Sequence, residues 1–307
     1  MQQLIVPALL VSFWTLCSGS GDWCYQSQFT CASECNVPEK WNHANSDCGK
    51  NYQSPINVVT KKTLKDERLT PFKFENYQQT FRGTIKNNGH SVQVGVPHVT
   101  ALSDGGLPAV YKAVQFHLHW GTNAGPGSEH TIDGEQYPME LHIVHMKQNY
   151  IDLTTALADP EGVAVLGFFY ERSNSANRKY EPIINALRSI KTSGANTTLP
   201  PISLAQLIPP EQNLTSFYRY KGSLTTPGCT ESVVWTLFEN TIPLNFEQLR
   251  AFSDLKFKDG KPMVGTFRPV QPLNGRQVFR SGGAVIVASS ALLIATIATA
   301  LGLSHPN

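Results

Sequence analysis

A pair of histidines in residues 115–120 has the spacing of a metal site built on a β-strand. The segment reads Gln-Phe-His-Leu-His-Trp, so polar and apolar residues alternate with a period of two. On a strand, this alternation places Gln115, His117 and His119 on one face. Residues two apart on a strand are separated by about 7 Å, so the two imidazoles can converge on one ion.

A second segment supplies a third histidine and a carboxylate. In residues 140–145, Glu-Leu-His-Ile-Val-His, alternation places Glu140, His142 and Val144 on one face. Turn-forming residues between the two segments allow this strand to return beside the first. Three neutral imidazoles with an open fourth position describe a catalytic zinc site. Metal-bound imidazoles also need hydrogen-bond partners, and Gln115 and Glu140 are suitable ones.

The histidine pair alone would be weak evidence. A His-x-His motif is more typical of two ordinary buried or surface histidines, and the third histidine with its carboxylate is what favours a metal. His130 and His145 are further histidines near these segments. By alternation His145 faces away from His142, so we interpret it as structural. His43 and His98 have no such context.

The elements that must position these residues are short strands separated by Gly, Pro and Asn turns. Residues 93–96, 113–120, 139–146, 163–170 and 232–238 have the composition of strands. Helical patterns occur at residues 177–190 and 246–252, the second with Asn245 as a candidate N-cap. We therefore predict a sheet-dominated α+β fold in a single domain. Its centre is a large, twisted, mostly antiparallel β-sheet with short peripheral helices.

Both ends of the 307-residue chain are uncharged, and each has the pattern of a processing signal. The apolar residues 4–17, followed by Ser-Gly-Ser-Gly, predict a secretory signal peptide over residues 1–20. The apolar residues 284–303, preceded by Ser281-Gly-Gly, are typical of a GPI-attachment signal, with Ser281 as the anchor and residues 282–307 removed. The alternatives are a buried N-terminal helix and a retained membrane-spanning helix. The folded domain is expected over residues 21–281.

Charge and cysteine content favour a secreted domain. The formal net charge is +2 and no basic run is present, which argues against a nucleic-acid partner. Five cysteines remain after Cys17 leaves with the signal peptide, and none forms a CxxC pair. Asn196 and Asn213 begin glycosylation sequons, which are relevant only in a secreted protein.

Over residues 23–277 the chain resembles the α-class carbonic anhydrases. Six motifs carry the resemblance, in the order and with the spacing of the family: Gln-Ser-Pro-Ile-Asn (53–57), Asn-Asn-Gly-His-Ser (87–91), Gln-Phe-His-Leu-His-Trp (115–120), Gly-Ser-Glu-His-Thr (127–131), Glu-Leu-His-Ile-Val-His (140–145) and Gly-Ser-Leu-Thr-Thr-Pro (222–227). The tail and the cysteines resemble the membrane-anchored extracellular branch, which is carbonic anhydrase IV-like and GPI-linked.

The resemblance implies roles for the polar residues that match these motifs. His117, His119 and His142 correspond to the zinc ligands, with Gln115 and Glu140 as their hydrogen-bond partners. Thr225 corresponds to the hydroxyl that orients the attacking oxygen and donates a hydrogen bond to Glu129. His90 corresponds to the proton shuttle, and an imidazole suits this role because its ordinary pKa of about 6.5 is close to that of zinc-bound water, about 7.

The resemblance also implies a substrate pocket and a water network. The residues expected to hold carbon dioxide are Val144, Val165, Leu224, Thr225, Thr226, Val233 and Trp235. The residues expected to order the water network are Tyr25, Asn88 and Gln93. The alternative is that the apolar residues among them are ordinary core residues.

The function implied by the resemblance is the reversible hydration of carbon dioxide to bicarbonate and a proton, with one Zn²⁺ per chain, at the outer face of the plasma membrane. Expected partners are carbon dioxide, bicarbonate, the membrane through a GPI lipid, and bicarbonate transporters. One alternative is a zinc hydrolase of esters or peptides, although the chain lacks HExxH. Another is an inactive adhesion module, against which the three histidines, Thr225 and Glu129 argue.

The resemblance pairs Cys48 with Cys229 and Cys24 with Cys35. Cys35 precedes Asn-Val-Pro, where the bonded cysteine of the family stands. Cys31 is then free or joined to another molecule, and a Cys24–Cys31 bond is the alternative.

Overall fold

The computed structural model describes residues 22–30 and 35–282. The predicted signal peptide, Cys31 and the apolar tail lie outside the described residues. Within the described ranges, no helix combines the length and apolar character needed to cross a membrane.

Short strands make up most of the regular structure. They are β1 (Asp22–Trp23), β2 (Cys35–Asn36), β3 (Asn57–Val58), β4 (Leu64–Lys65), β5 (Phe72–Glu75), β6 (Thr84–Asn87), β7 (Val92–Gly95), β8 (Ala101–Asp104), β9 (Tyr111–Trp120), β10 (Thr131–Ile132), β11 (Glu135–Gln136), β12 (Met139–Lys147), β13 (Val163–Ser173), β14 (Asn196–Thr198), β15 (Phe217–Gly222), β16 (Val233–Asn245) and β17 (Phe279–Arg280). The five predicted strands are confirmed as β7, β9, β12, β13 and β16. β16 runs past its predicted end because it continues to pair with β13 beyond a register shift.

The centre of the fold is a 12-stranded sheet in which β9, β12, β13 and β16 are successive neighbours. β12 pairs antiparallel with both β9 and β13. β13 and β16 run parallel, as do β17 and β4 at one edge. The predicted sheet-dominated single domain is confirmed, but the sheet is mixed. The β13–β16 pair can be parallel because a long connection containing two helices lies between them.

The helices are short and peripheral, as predicted. The α-helices are α1 (Trp41–Ala44), α2 (Leu153–Ala156), α3 (Glu181–Leu187), α4 (Leu204–Leu207) and α5 (Phe246–Ala251); 3₁₀ turns cover Gln26–Gln28, Pro38–Lys40, Ser46–Gly49, Thr60–Lys62, Arg178–Tyr180, Glu211–Asn213 and Phe252–Asp254. The predicted Asn245 cap is confirmed: its side chain accepts from the Gln248 amide at 2.9 Å, and the Gln248 side chain accepts from the Asn245 amide. α3 is shorter than the predicted 177–190 because its first turn is a 3₁₀ turn, and its Ile183 and Leu187 side chains are buried.

Strand alternation divides the central sheet into an apolar face and a face that carries the histidines. Phe116 and Leu118 on β9, and Leu141 and Ile143 on β12, are buried in the larger hydrophobic cluster. Burying each such side chain contributes about 1.5–3 kcal/mol to folding. The residues between them, His117 among them, point to the opposite face. The apolar core therefore fixes the register on which the histidines depend.

Two disulfides have the predicted pairing, Cys24–Cys35 and Cys48–Cys229. The second closes 181 residues of chain. It fastens the loop after β15 to the N-terminal part of the domain, where the Gln53 side chain donates to the Cys229 carbonyl at 3.1 Å.

Candidate metal centre and its surroundings

Three histidines from two adjacent strands meet on the polar face of the sheet. His117 on β9 lies directly opposite His142 on β12, and His119 lies opposite Glu140. One nitrogen of each of His117, His119 and His142 lies within 4.8 Å of the others. The structure therefore brings together the three histidines that the sequence pattern groups.

The outer nitrogen of each ring is fixed by an acceptor. The Nδ1–H of His117 donates to Gln115 Oε1 at 3.0 Å, and the Nε2–H of His142 donates to Glu140 Oε1 at 2.7 Å. The Nδ1–H of His119 donates to the Thr266 carbonyl at 2.6 Å. Because each acceptor requires the hydrogen on that nitrogen, the lone pairs of His117 Nε2, His119 Nε2 and His142 Nδ1 are left to face one another.

These rings are held neutral. Burial lowers the pKa of His117 well below its ordinary value, lowers that of His142, and lowers that of His119 to about 3. His142 Nδ1 and His117 Nε2 are 3.3 Å apart. Two nitrogen lone pairs at this distance do not attract each other, whereas a cation between them would bind both. Three neutral imidazole nitrogens are a donor set that suits a divalent transition metal, so this group can hold a metal ion.

Glu140 supports the centre through four hydrogen bonds. Its Oε1 accepts from His142 and from His130 Nδ1, both at 2.7 Å, and its Oε2 accepts from the amides of Glu129 and His130, both at 2.9 Å. Burial raises the pKa of Glu140, but the interactions with His130 and His142 outweigh burial and hold it well below its ordinary value. His130, Glu140 and His142 also have metal-binding geometry, but their facing atoms are already joined by hydrogen bonds.

Behind Glu140, His130 extends the network to Tyr220 on β15. Its Nε2 lies 2.6 Å from the Tyr220 hydroxyl, which lies 2.8 Å from Ser54 Oγ. These residues and Thr266 were not predicted from the sequence. His130 and Ser54 lie in motifs of the resemblance, which was a usable signal. Thr266 contributes only a backbone carbonyl, for which no side-chain pattern exists.

Gly167 leaves the space in which Glu140 stands. Gly167, on β13, lies opposite His142 on β12. A Cβ at this position would come within 3.2 Å of Glu140 Oε1 and within 2.7 Å of Leu237 Cδ2. The carboxylate can therefore reach both imidazoles only because residue 167 has no side chain.

Glu129 and Thr225 lie at the inner end of the site, as the resemblance implies. Glu129 Oε1 accepts from the Arg268 amide at 2.9 Å, and Oε2 is 3.4 Å from His119 Nε2. Burial is the largest influence and raises the pKa of Glu129 well above its ordinary value, although hydrogen bonds from the Thr225 side chain and the Arg268 amide oppose this shift. A cation bound at the histidines would also oppose it and would favour the ionised carboxylate.

His90 stacks on Trp23 at the outer end of the site, with ring centroids 4.0 Å apart. Burial lowers the pKa of His90, and the charge of Asp22 opposes this. Asn88 caps the turn by accepting from the His90 amide at 3.0 Å, and its Nδ2 donates to Gln93 Oε1 at 3.3 Å. Gln93 lies opposite His117 in the sheet, so Asn88 and Gln93 connect the turn of His90 with the metal centre.

An apolar surface adjoins the histidines on the same face. Val144, Val165 and Trp235 are neighbours across β12, β13 and β16, and all are buried. They belong with Val233 to a second hydrophobic cluster, against which the half-buried Leu224 packs. Thr226 is half-buried, and its carbonyl accepts from the Cys229 amide at 2.9 Å. Val144, Val165, Val233, Trp235 and Leu224 are thus packed together, with the Trp235 ring 4.8 Å from that of His142.

Unpaired buried atoms are concentrated at this site. Within residues 22–30 and 35–282, the fully buried side-chain polar atoms that have no hydrogen-bond partner are Tyr25 Oη, His90 Nδ1, His119 Nε2, Glu129 Oε2 and Arg268 Nε. Each belongs to a residue at the histidine centre or in contact with its surroundings. Buried polar atoms are almost always paired with protein groups or ordered water, so polar partners such as water or an ion are expected around this centre.

The remaining predicted positions lie away from this centre. Asn196, on the edge strand β14, and Asn213 are exposed. Ser281 is buried, and its Oγ donates to the Thr215 carbonyl at 2.7 Å and accepts from the Phe217 amide at 3.0 Å. Gly282, the next residue, is exposed.

Comparison with known proteins agrees with this geometry. Residues 36–282 match the sequence profile described as eukaryotic-type carbonic anhydrase. The chain is 41% identical to carbonic anhydrase 4 of Oryctolagus cuniculus over 287 residues, 92% of each chain. It is 39% identical to carbonic anhydrase 4 of Rattus norvegicus over 283 residues, 91% of each chain. It is also 36% identical to human carbonic anhydrase 12 over 274 residues, which cover 86% of this chain and 76% of that protein. With this profile match over most of the chain and relatives about 40% identical along more than nine-tenths of it, the chain belongs to the eukaryotic-type carbonic anhydrase family.

Proposed function

We propose that this carbonic anhydrase is a zinc enzyme that hydrates carbon dioxide at the outer cell surface, where a GPI lipid holds it. The observation that carries the proposal is the set of three neutral imidazole lone pairs, one of them on the buried and otherwise unpaired His119 Nε2. His117, His119 and His142 would hold the zinc. When bound, zinc acts as a redox-inert Lewis acid and lowers the pKa of coordinated water to about 7. Carbonic anhydrase is the standard example of this effect.

Thr225 and Glu129 orient the attacking oxygen in this proposal. With a cation at the histidines lowering its pKa, Glu129 would be ionised and could only accept hydrogen bonds, so the Thr225 hydroxyl would donate its hydrogen to Glu129. The Thr225 oxygen then has only acceptor capacity left for the site. It can accept a hydrogen from the attacking water, which turns an oxygen lone pair towards the substrate.

The apolar surface made by Val144, Val165, Val233 and Trp235 is suited to carbon dioxide. The substrate is uncharged and has no hydrogen-bond donor, so a buried apolar wall beside the metal can accept it without leaving polar groups unpaired. The product bicarbonate is charged and is poorly solvated by the same wall, which favours its release.

His90 carries the proton out in this proposal. The stack on Trp23 places its ring at the edge of the site, and its unpaired Nδ1 can accept a proton. The lowered pKa keeps the ring neutral at pH 7, and it also makes the ring a weaker base than an ordinary histidine. His90→Ala should slow turnover at low buffer concentration, and added imidazole should restore part of the rate. If buffer has no effect on either protein, His90 is not the shuttle.

The proposed location is supported by the predicted signal peptide, the two exposed sequon asparagines and the disulfides, which persist in oxidising compartments. Attachment of a GPI lipid at the carboxyl group of Ser281 would place the anchor directly after β17. Phosphatidylinositol-specific phospholipase C should release the enzyme from cells. An intact apolar tail on the mature membrane protein would favour the spanning helix instead.

Zinc content and activity of matched variants test the central proposal. The purified domain should contain one zinc per chain and hydrate carbon dioxide, and a chelator should abolish both. His142→Ala should lose the metal, whereas His98→Ala, which removes an exposed histidine, should keep it. Full zinc occupancy in His142→Ala would show that the ligand set is wrong. A protein that binds no zinc and does not hydrate carbon dioxide would favour the adhesion module.

A further inference from the structure

A cavity of about 530 Å³ lies beside β15 and is lined by arginines. We call it the arginine cavity. It is bordered by four cations and two carboxylates, which leaves a net charge of +2. Its charged residues are Arg68, Arg219, Lys221, Arg276, Asp66 and Glu161. None of them belongs to the histidine centre.

The two carboxylates are already committed to two of the cations. Arg68 pairs with Asp66 at 2.8 Å, and Lys221 pairs with Glu161 at 2.8 Å. Within residues 22–30 and 35–282, Arg219 and Arg276 form no ion pair with a carboxylate. The positive charge of the cavity is therefore concentrated on these two guanidinium groups.

Arg219 is the more unusual of the two because only 7% of it is exposed. Its Nε and Nη2 donate to Thr236 Oγ1, and Nη2 also donates to the Gly105 carbonyl at 2.9 Å. Nη1 forms no hydrogen bond with the described residues and is not fully enclosed. Burial lowers the pKa of Arg219 to about 10, which leaves it charged at pH 7. A buried charge without a counter-ion is costly.

Arg276 is held rigidly at the other side of the cavity. Its guanidinium donates to four backbone carbonyls, including that of Gln53 at 2.7 Å, and lies 5.9 Å from the Tyr52 ring and 5.6 Å from the Tyr220 ring. Tyr52 is 51% exposed. The cavity thus offers an exposed aromatic ring and the apolar side chains of Leu69 and Phe279 beside two fixed positive charges.

We propose that the arginine cavity binds a small organic anion, a phosphate or carboxylate that carries an aromatic or aliphatic body. The anionic group would take the counter-ion position at Arg219 Nη1 and Arg276, where hydrogen bonds between charged groups are strong. The body would lie against Tyr52 and the apolar wall. The cavity volume is sufficient for a ligand of this size, since small-molecule sites are commonly about 300–1,000 Å³.

The test is calorimetric titration of the zinc-loaded enzyme with phenyl phosphate, benzoate and inorganic phosphate. Phenyl phosphate or benzoate should bind with 1:1 stoichiometry and more tightly than inorganic phosphate, and the comparison of the first two identifies the preferred anionic group. Arg219→Met should weaken binding about tenfold or more, since a lost charged hydrogen bond is worth about 1.5–3 kcal/mol. Arg276→Gln and Tyr52→Ala, which change more accessible positions, should also weaken it.

Two controls separate this site from others. Arg188→Gln removes the same charge from a different cavity, between α3 and α5, and should bind the probes like the unmodified enzyme. Binding should also survive removal of the zinc by a chelator, because the proposed site contains no metal. The proposal is overturned if binding is lost with the zinc, or if it persists unchanged in Arg219→Met and Arg276→Gln. It is equally overturned if neither organic probe binds at concentrations up to about 10 mM.

Discussion

Replacing Glu140 by glutamine should damage the metal centre although the two side chains have the same shape. Glu140 Oε1 accepts from two imidazoles and Oε2 accepts from two backbone amides. An amide has one acceptor oxygen and one NH₂ group, which can only donate. In either orientation, therefore, the NH₂ group of Glu140→Gln faces two donors.

The two orientations have different costs. If the NH₂ group faces the amides of Glu129 and His130, two buried donors lose their acceptor, which costs about 1–3 kcal/mol each and about 2–6 kcal/mol in total. If it faces His142, that ring can adapt only by moving its hydrogen to Nδ1, and the lone pair intended for the metal is lost. Loss of such a supporting partner typically lowers metal affinity 10–100-fold, which corresponds to about 1.4–2.7 kcal/mol.

Two measurements decide between these outcomes. Competition with a chromogenic chelator gives the zinc dissociation constant, and guanidinium denaturation of the metal-free protein gives the free energy of unfolding. At least one should change by the stated amount in Glu140→Gln. Gln115→Glu is the matched control, because it makes the reverse exchange and keeps an acceptor for His117 Nδ1, so it should bind zinc at least as tightly as the unmodified protein. Unchanged zinc affinity together with unchanged stability in Glu140→Gln would refute the reasoning.

Three further predictions follow from packing, burial and chain connectivity. Gly167→Ala should displace Glu140 and so lower zinc affinity severalfold in the same competition assay. Gly95→Ala is the control and should leave the affinity unchanged, because its Cβ would meet nothing within 4 Å. Equal affinities in the two variants would contradict this prediction. Burial lowers the pKa of His145 to about 4, so the unfolded chain, with an ordinary pKa of about 6.5, takes up this proton first as the pH falls. The contribution of His145 to the free energy of unfolding should therefore decrease by about 3 kcal/mol between about pH 6.5 and 4. Denaturation across this range should show a shallower dependence in His145→Gln, and an unchanged slope would count against the assignment. Removing the Cys48–Cys229 bond, which joins residues 181 apart, should lower the free energy of unfolding by about 5 kcal/mol in the chain-entropy model and should reduce hydration activity. Removing the Cys24–Cys35 bond, which joins residues 11 apart, should lower it by about 3 kcal/mol and leave activity intact. Equal effects of the two removals on activity would contradict a special role for the Thr225 loop.

The histidine centre was predictable because strand alternation is a local property. The period of two around His117 and His142 determined which side chains share a face, and apolar residues such as Phe116 and Leu141 fix that face against the core. The same rule separated His145, which faces the other way and lies 2.6 Å from the Tyr77 hydroxyl. Gln115 and Glu140 were identified with the histidines because they precede them by two residues.

Other parts of the site had no local signal. The acceptor for His119 is the carbonyl of Thr266, 147 residues away, and a backbone carbonyl looks the same at every position of a sequence. Gly167 is one of 23 glycines, and the need for a glycine at this position is visible only once the fold places Glu140 beside it. The parallel pairing of β13 with β16 was also missed, because it depends on the path of a long connection rather than on residue pattern.

The arginine cavity illustrates the same limit for charge. Arg219 is one of 25 basic residues in a chain with a net charge of +2, and composition gives no reason to single it out. Its burial follows from the position of β15 between β16 and β17, which places residue 219 beneath Gly105 and beside Thr236. An unpaired buried charge is visible only after the fold has brought distant segments together.

The Cys48–Cys229 bond links the arrangement around the metal centre to the redox state of the compartment. Cys229 lies on the loop that carries Thr225, and that loop is closed by hydrogen bonds from the Leu224 amide to the Thr230 carbonyl and from the Cys229 amide to the Thr226 carbonyl. The bond to Cys48 fastens the whole loop to the N-terminal part of the domain. In a reducing cytosol this link would be lost, and the loop would be joined to the N-terminal part of the domain only by hydrogen bonds, such as the one from the Gln53 side chain to the Cys229 carbonyl. A chain that places its orienting hydroxyl on a disulfide-bound loop is therefore suited to an oxidising compartment, which is where the predicted signal peptide would deliver it.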